Sequence, residues 1–217
     1  MNRREELENN LNVVARSISS FNPTLIVVTK TYPVSDVEIL FDLGVRDFGE
    51  NRDEEGSVKS QQVAATWHYQ GEIQSKKIRS IASWASTIHS LDDLGHLEKF
   101  NRVAGELNKQ INIFIQLSLD EDPQRGGVTE ENLAELADAT LAAENLNLLG
   151  LMCVPPVKAD PESAYRAISE VHQRFIGRYP ASPYLSAGMS GDYLLALQHG
   201  ATHIRVGSSI LGQRLYR

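Results

Sequence analysis

The sequence has little cysteine, no long hydrophobic run and no signal-peptide pattern. Its single cysteine, Cys153, excludes an intramolecular disulfide and a CxxC metal site, and this usage is typical of a reducing cytosol. No segment approaches the roughly 20 apolar residues of a membrane span. The N-terminus is charged and amphipathic, without the apolar core of a secretion signal. We therefore expect a cytoplasmic protein that does not contact membranes.

Basic residues are also too few for a nucleic-acid-binding protein. Lys and Arg total 21 against 28 Asp and Glu, and the net charge of −7 opposes nonspecific binding to nucleic acid or anionic membrane. Of the six histidines only His199 and His203 have a metal-like spacing, HxxxH, and none has HxH spacing, so we expect no metal site.

Short β-branched runs alternate with amphipathic stretches along the chain. The candidate strands are 25–29, 47–48, 66–69, 87–89, 111–117, 147–150, 184–185 and 202–205. The candidate helices are 34–43, 75–82, 91–108, 129–143 and 161–176, after a leading helix from Asn2 to Ser19. Ser35 and Asp36 are possible caps of the helix that closes at Gly44.

This alternation predicts an α/β protein with a parallel sheet. Eight strands separated by helices favour closure into a single (β/α)8 barrel of the TIM type, preceded by the extra N-terminal helix. The whole chain, 1–217, is then one domain. An open doubly wound sheet is the alternative architecture.

Lys30 directly follows the first predicted strand. Because chemistry in a barrel sits where strands end, its ammonium would lie at the barrel mouth beside small hydroxyls. A Schiff-base lysine needs a partly desolvated setting that lowers its pKa from about 10.4. A solvated lysine at a strand end is the alternative.

A glycine-rich segment, 186–192, follows the seventh predicted strand. Gly188 and Gly191 let the backbone approach a ligand closely, and Ser190 offers a hydroxyl and would cap the next helix. A capped turn without a ligand is the alternative.

The segment 205–209 follows the eighth strand. Gly207 and Ser208 can present amide N–H groups to an anion, and the loops after strands 7 and 8 are the usual phosphate site of this fold. Arg205 would be a guanidinium inside the barrel, which is costly without a partner.

Together these segments resemble the pyridoxal phosphate homeostasis proteins (the YggS/PROSC family), which are related to the barrel domain of alanine racemases. The matching stretches are LIVVTKTYPVSDVEILFDLGVRDFGENR at 25–52, WHYQGEIQSKKIRSI at 67–81, GLMCVPP at 150–156 and LSAGMSGDYLLALQHGATHIRVGSSILGQR at 185–214. The resemblance implies a protein that binds pyridoxal 5′-phosphate (PLP). The loop 119–127 departs from the family's usual pattern.

The resemblance also implies a role for each matching residue. Lys30 corresponds to the Schiff-base lysine, Asn51 to a residue lining the ring, and Arg205 to the arginine that faces the pyridine nitrogen. Phosphate contacts are implied for Ser190, Gly207 and Ser208, with the amide of Met189. Ser186 and Met152 are further neighbours of the ring. No residue is expected to be catalytic.

We expect this protein to carry PLP in vitamin B6 homeostasis, without significant turnover. An arginine can only donate, so it leaves the pyridine nitrogen unprotonated and weakens carbanion chemistry. The racemases have a second domain that supplies a catalytic tyrosine, for which this chain has no room after its eighth strand. We therefore also expect a monomer. The remaining proton donors at the mouth, Tyr69, His68 and Ser118, have no evident partner to tune them.

Three other functions stay open at this point. They are an amino-acid racemase or another slow PLP enzyme, a barrel enzyme acting on a phosphorylated metabolite without PLP, and a pure interaction protein. For a carrier, apo forms of PLP-dependent enzymes are the implied acceptors.

Overall fold

The computed structural model describes residues 2–120 and 125–212. Met1 and residues 213–217, at the two ends of the predicted domain, lie outside this part of the chain. Residues 121–124 of the loop 119–127 also lie outside it.

Eight parallel strands form a closed barrel in the order of the sequence. The strands are β1 Thr24–Val28, β2 Asp47–Glu50, β3 Thr66–Tyr69, β4 Thr87–Leu91, β5 Ile111–Leu117, β6 Leu146–Cys153, β7 Tyr184–Ser186 and β8 His203–Val206. Closure is made by four residue pairs between β1 and β8, from Thr24↔His203 to Val27↔Val206. The predicted barrel is therefore confirmed, and the open sheet is excluded.

Helices surround the barrel and connect its strands. They are α1 Arg3–Ile18, α2 Val34–Asp42, α3 Asp53–Gln62, α4 Ile78–Trp84, α5 Leu94–Glu106, α6 Leu133–Ala142, α7 Pro161–Arg178, α8 Tyr193–Gln198 and α9 Ser208–Leu211, with short 3₁₀ segments at Ser75–Lys77 and Glu130–Asn132. None of the helices in the described ranges is long and apolar enough to cross a membrane.

The predicted N-terminal helix is confirmed and has a clear local cause. The Asn2 side chain accepts from the Glu5 amide, and the Glu5 carboxylate accepts from the Asn2 amide, which is a capping box. The helix packs against the segment that follows β8, where the Asn10 side chain donates to the Ile210 carbonyl at 3.0 Å. This contact places α1 beside α9, the helix that follows β8.

Two local predictions about the helices were wrong. Ser35 and Asp36 do not cap α2, whose N-cap residue is Pro33. The Asp36 carboxylate instead forms a partly buried ion pair with Arg3 of α1, 2.6 Å away. The helix predicted from residue 91 begins only at Leu94, because Leu91 is the last residue of β4.

Candidate functional site

Lys30 lies in a tight turn at the carboxyl end of β1. The Tyr32 amide donates to the Thr29 carbonyl at 3.0 Å, so Lys30 and Thr31 are the two central residues of the turn. Thr31 has φ +70, a left-handed backbone conformation that is uncommon outside glycine. The conformation costs energy, so it persists only where surrounding contacts hold it in place. The enforcing contact is the Thr31 amide, which donates to Glu55 Oε2 at 2.6 Å.

A buried ionic cluster supports this turn from the side of α3. Lys59 Nζ donates to Glu50 Oε1 at 2.6 Å, to the Thr29 carbonyl at 2.8 Å and to Glu55 Oε2 at 3.2 Å. Thr29 Oγ1 also donates to Glu50. Burial raises the pKa of Glu50, while Lys59 acts in the opposite direction. The cluster thus clamps the residues on both sides of Lys30.

Arg205 projects from β8 into the barrel and is 5% exposed. Its Nη1 donates to the Ser186 carbonyl at 2.7 Å and to Ser186 Oγ at 2.8 Å, and its Nη2 donates to the Cys153 carbonyl at 3.2 Å. Among the described residues it forms no ion pair with a carboxylate. Burial lowers the pKa of its guanidinium. A buried cation held only by neutral oxygen atoms is well placed to bind an electron-rich ligand atom.

The loops after β7 and β8 meet around the Ser190 hydroxyl. Ser190 Oγ accepts from the amides of Gly207 at 3.1 Å and Ser209 at 3.3 Å. Two amides that converge on one oxygen atom form a cradle, and an anion's oxygen would bind these amides in place of the neutral Ser190 hydroxyl. Ser208 lies between them in the chain and is exposed.

Two predictions about the loop after β7 need revision. Ser190 does not begin the next helix, because α8 starts at Tyr193 with Asp192 as its N-cap residue. The amide of Met189, a predicted phosphate contact, donates to the Asp192 carboxylate at 2.6 Å. That amide is therefore already engaged, and a phosphate would have to displace a carboxylate to reach it.

The rim above β2 and β3 carries two buried polar atoms without a partner in the described part of the chain. They are Asn51 Oδ1 and Gln70 Nε2. Backbones approach closely here, since a Cβ on Gly71 would lie 2.2 Å from the Asn51 carbonyl oxygen. Asn51 was a predicted site residue, but Gln70 was not, although the sequence places it directly after the third strand.

Met152 and Cys153 end strand β6, opposite Arg205. Met152 is buried and pairs with Ser186 of β7. Cys153 is fully buried, and burial raises the pKa of its thiol to about 12. Its carbonyl, rather than its sulfur, takes part in the site through Arg205.

The three proton donors proposed for the mouth all have partners, contrary to the prediction. His68 lies inside the barrel, with Nε2 3.1 Å from Asp47 Oδ1 and Nδ1 2.9 Å from His89 Nε2. The Tyr69 hydroxyl donates to the Glu72 carbonyl, and burial raises the pKa of Tyr69 to about 12. The Ser118 hydroxyl donates to the Asp120 carbonyl.

The structure brings Lys30, Arg205 and the Ser190 cradle to the carboxyl ends of neighbouring strands. A Cβ on Gly207 would lie 3.2 Å from the Val28 carbonyl, so the cradle lies directly beside the strand that leads to Lys30. An amine, a donor-only cation and two convergent amides fit an aldehyde-bearing aromatic phosphate such as PLP. The partnerless atoms of Asn51 and Gln70 add one acceptor and one donor.

Comparisons with known proteins show the family of this chain. A family model described as alanine racemase, N-terminal domain, matches residues 3–214. A pyridoxal phosphate homeostasis protein of Corynebacterium glutamicum is 42% identical over 198 residues, which cover 88% of this chain and 90% of the relative. One from Synechocystis is 34% identical over 213 residues, covering 94% and 98%.

Solved structures give the same barrel. PipY of Synechococcus elongatus with PLP bound superposes with a TM-score of 0.86 at 29% identity, covering 95% of this chain and all of that one. An alanine racemase of Clostridium difficile has a TM-score of 0.79 at 14% identity, and the match covers 98% of this chain but 58% of the racemase. The racemase likeness shows the fold alone.

Proposed function

This chain belongs to the pyridoxal phosphate homeostasis proteins, within the alanine racemase N-terminal domain family, and we propose that it binds PLP and takes part in vitamin B6 homeostasis. The proposed unit is a single barrel domain over residues 1–217. In this proposal Lys30 holds the cofactor as a Schiff base, formed when its amine condenses with the aldehyde and releases one water.

One arrangement carries the proposal. The Lys30 turn, the buried Arg205 guanidinium and the amides of Gly207 and Ser209 lie together at the ends of β1 and β8, which pair side by side. Each matches one part of PLP, because an amine binds the aldehyde, a donor-only cation faces the ring nitrogen, and amides bind phosphate oxygens.

The other predicted site residues take supporting roles. Asn51 and Met152 line the ring, and Ser186 holds Arg205 in place through its carbonyl and hydroxyl. Ser190 and Ser208 lie at the phosphate, with the Met189 amide contributing only if Asp192 releases it.

We infer further that the bound cofactor is stored rather than used for rapid turnover. Bound PLP supplies an electron-withdrawing ring, which withdraws electrons best when its nitrogen is protonated. The Arg205 guanidinium can donate hydrogen bonds but cannot accept one, so a ring nitrogen that it contacts must stay unprotonated. Racemisation also needs a proton donor on the face opposite Lys30, and Tyr69, His68 and Ser118 are each engaged in other hydrogen bonds. Apo-enzymes as acceptors and a monomeric state stay predictions.

The lysine assignment is tested by chemical labelling. Protein loaded with PLP is reduced with borohydride and digested, and we expect the pyridoxyl group on the peptide that contains Lys30. The variant Lys30→Ala should keep its circular dichroism spectrum and lose the visible absorbance band. The control Lys76→Ala should keep both, and label found mainly on Lys76 or Lys77 would refute the assignment.

The phosphate assignment is tested by comparing ligands. PLP should bind much more tightly than pyridoxal, because charge-assisted hydrogen bonds contribute about 1.5–3 kcal/mol each. Ser190→Ala and Ser208→Ala should each reduce that difference by about tenfold or less, since the backbone amides remain. Equal affinity for the two ligands would show that the cradle is not a phosphate site.

The carrier assignment is tested by exchange of the α-proton of alanine in deuterated water. We expect exchange no faster than with free PLP. Exchange at enzyme-like rates that is abolished in Lys30→Ala would show that the protein is a racemase or another PLP enzyme instead.

A further inference from the structure

A continuous hydrogen-bond chain crosses the interior of the barrel and ends on Arg205. Asp47 Oδ1 lies 3.1 Å from His68 Nε2, and His68 Nδ1 lies 2.9 Å from His89 Nε2. His89 Nδ1 lies 2.9 Å from Ser186 Oγ, which accepts from Arg205 Nη1 at 2.8 Å. The five residues belong to five strands, β2, β3, β4, β7 and β8. We refer to them as the relay.

When His68 is neutral, the hydrogen bonds of the relay have only one possible arrangement of donors and acceptors. Arg205 can only donate, so Ser186 Oγ accepts from it. The hydrogen of the Ser186 hydroxyl then has one acceptor among its described partners, His89 Nδ1. His89 must therefore carry its own proton on Nε2 and donate it to His68. At the far end the Asp47 carboxylate can only accept, which requires the His68 proton on Nε2 and gives the same direction.

His89 is the residue on which this direction depends. It is fully buried, stacks on the Phe114 ring at 4.6 Å between centroids, and has both ring nitrogens engaged. Burial, with a smaller contribution from the nearby Arg205 charge, lowers the pKa of His89 well below its usual value. The ring is therefore neutral and carries its single proton on either Nδ1 or Nε2.

We propose that Asp47, His68 and His89 are positioning residues that act through Ser186 to fix the orientation of the Arg205 guanidinium at the ligand site. This extends the proposed function, because Arg205 is the residue assigned to the PLP ring. A direct carboxylate partner would hold Arg205 equally firmly but would neutralise it. The relay instead keeps the carboxylate three hydrogen-bonded groups away, so the guanidinium is oriented while its charge remains available to the ligand.

The relay also links the ligand site to the opposite end of the barrel. The Asp47 side chain is 29% exposed, whereas His68 is 4% exposed. His68 is faced by Asp47 from β2 and by His89 from β4. Without the Asp47 carboxylate the His68 proton could move to Nδ1, and His89 would then carry its own proton on Nδ1. The Ser186 hydroxyl would lose its acceptor.

The first test measures the tautomers directly in PLP-free protein labelled with ¹⁵N-histidine. At pH 7.5 we expect His89 to be protonated on Nε2 and unprotonated on Nδ1. His89 protonated on Nδ1 at pH 7.5 would overturn the proposal.

The second test asks whether the relay reaches the ligand site. Asp47→Asn should weaken PLP binding, because the carboxylate that holds the His68 proton on Nε2 is lost. The matched control Asp42→Asn removes a surface carboxylate paired with Arg4 and should leave the PLP affinity unchanged. An unchanged PLP affinity in Asp47→Asn would overturn the proposal.

The third test breaks the relay next to Arg205. Ser186→Ala should weaken PLP binding by about tenfold, as expected for one lost hydrogen bond to a charged group. Ser182→Ala is the control, because Ser182 is equally buried but donates to the Leu148 carbonyl outside the relay. Equal effects of the two variants would contradict a positioning role. If the wild type binds no PLP, the proposed function fails, while the tautomer measurement still decides whether the relay exists.

Discussion

We expect Lys59→Met to destabilise the protein severely. Its Nζ lies 2.6 Å from Glu50 Oε1, and the two side chains are 6% and 0% exposed. Removing one partner of a buried ion pair leaves an uncompensated charge, which costs about 3–5 kcal/mol. This is a large part of the 5–15 kcal/mol that typically separates native from unfolded protein. Because Lys59 also donates to the Thr29 carbonyl, the Lys30 turn should loosen as well.

Lys77→Met is a matched control for the effect of burial. The Lys77–Glu54 pair has the same 2.6 Å separation, but its side chains are 29% and 72% exposed. Surface pairs contribute little to stability because solvent screens them. Urea unfolding should therefore show a large loss of midpoint for Lys59→Met and almost none for Lys77→Met.

The pH dependence of this loss provides a second check. Burial raises the pKa of Glu50 above its usual 4.5, and Lys59 opposes that shift. Without Lys59 the pKa of Glu50 should rise further. A carboxyl whose folded pKa is raised stabilises the fold in acid, and this contribution is lost as pH rises through the folded pKa. The cost of Lys59→Met should thus be smallest near pH 4.5 and grow towards neutrality.

A double variant separates charge from packing. Glu50→Gln in the Lys59→Met background removes the stranded charge and should recover much of the stability at pH 7. Equal costs for Lys59→Met and Lys77→Met, or no recovery in the double variant, would refute the assignment of the cost to a buried charge.

Three further predictions concern other parts of the barrel. Cys153 should resist thiol reagents in native protein at pH 8 and react once the protein is unfolded in urea, because burial raises its pKa to about 12; rapid native labelling would contradict this. Burial lowers the pKa of His203 to about 4, so its contribution to stability is present above pH 6.5 and lost as pH falls towards 4. His203→Asn should flatten the pH dependence of the unfolding free energy in that window, and an unchanged slope would contradict it. Gly71→Ala should lower the urea midpoint and weaken PLP binding, because its Cβ would lie 2.2 Å from the Asn51 carbonyl oxygen, whereas Gly177→Ala meets nothing within 4 Å.

The sequence pattern predicts the barrel well but misses helix α3. Periodicity identifies helices by a buried apolar stripe, and the buried residues of α3 are Asp53, Gly56 and Lys59. Each is buried for a specific reason. Asp53 accepts from Ser80 and Trp84, Gly56 leaves room for the Trp84 ring, and Lys59 pairs with Glu50. These partners lie on other elements, so no local pattern indicates the helix.

The positions of Lys30 and Arg205 at the strand ends could be predicted, because each lies at the end of an apolar run or within it. The hydrogen-bond partners of the backbone amides around them could not be predicted. Ser190 was expected to begin a helix, yet its hydroxyl accepts from Gly207 and Ser209 instead. That contact depends on how closely the loops after β7 and β8 approach each other. Such distances follow from barrel closure and not from the composition of either loop.

The relay was missed because its spacing is set by the register of the barrel. Asp47 pairs with Thr66, and His68 lies two residues further along β3. His68 pairs with Thr87, and His89 again lies two residues further along. Ser186 pairs with His203, and Arg205 lies two residues beyond it.

A step of two residues keeps side chains on the same face of a sheet, and the stagger of a closed barrel turns such steps into a staircase. The relay residues therefore share the interior of the barrel although 21 residues separate Asp47 from His68, and 21 more separate His68 from His89. The remaining step, from β4 to β7, joins strands that are not neighbours and can form only across that interior. Scans for metal motifs such as HxxxH look for histidines within one element. A polar network in a barrel is found instead by moving two residues forward on each successive strand.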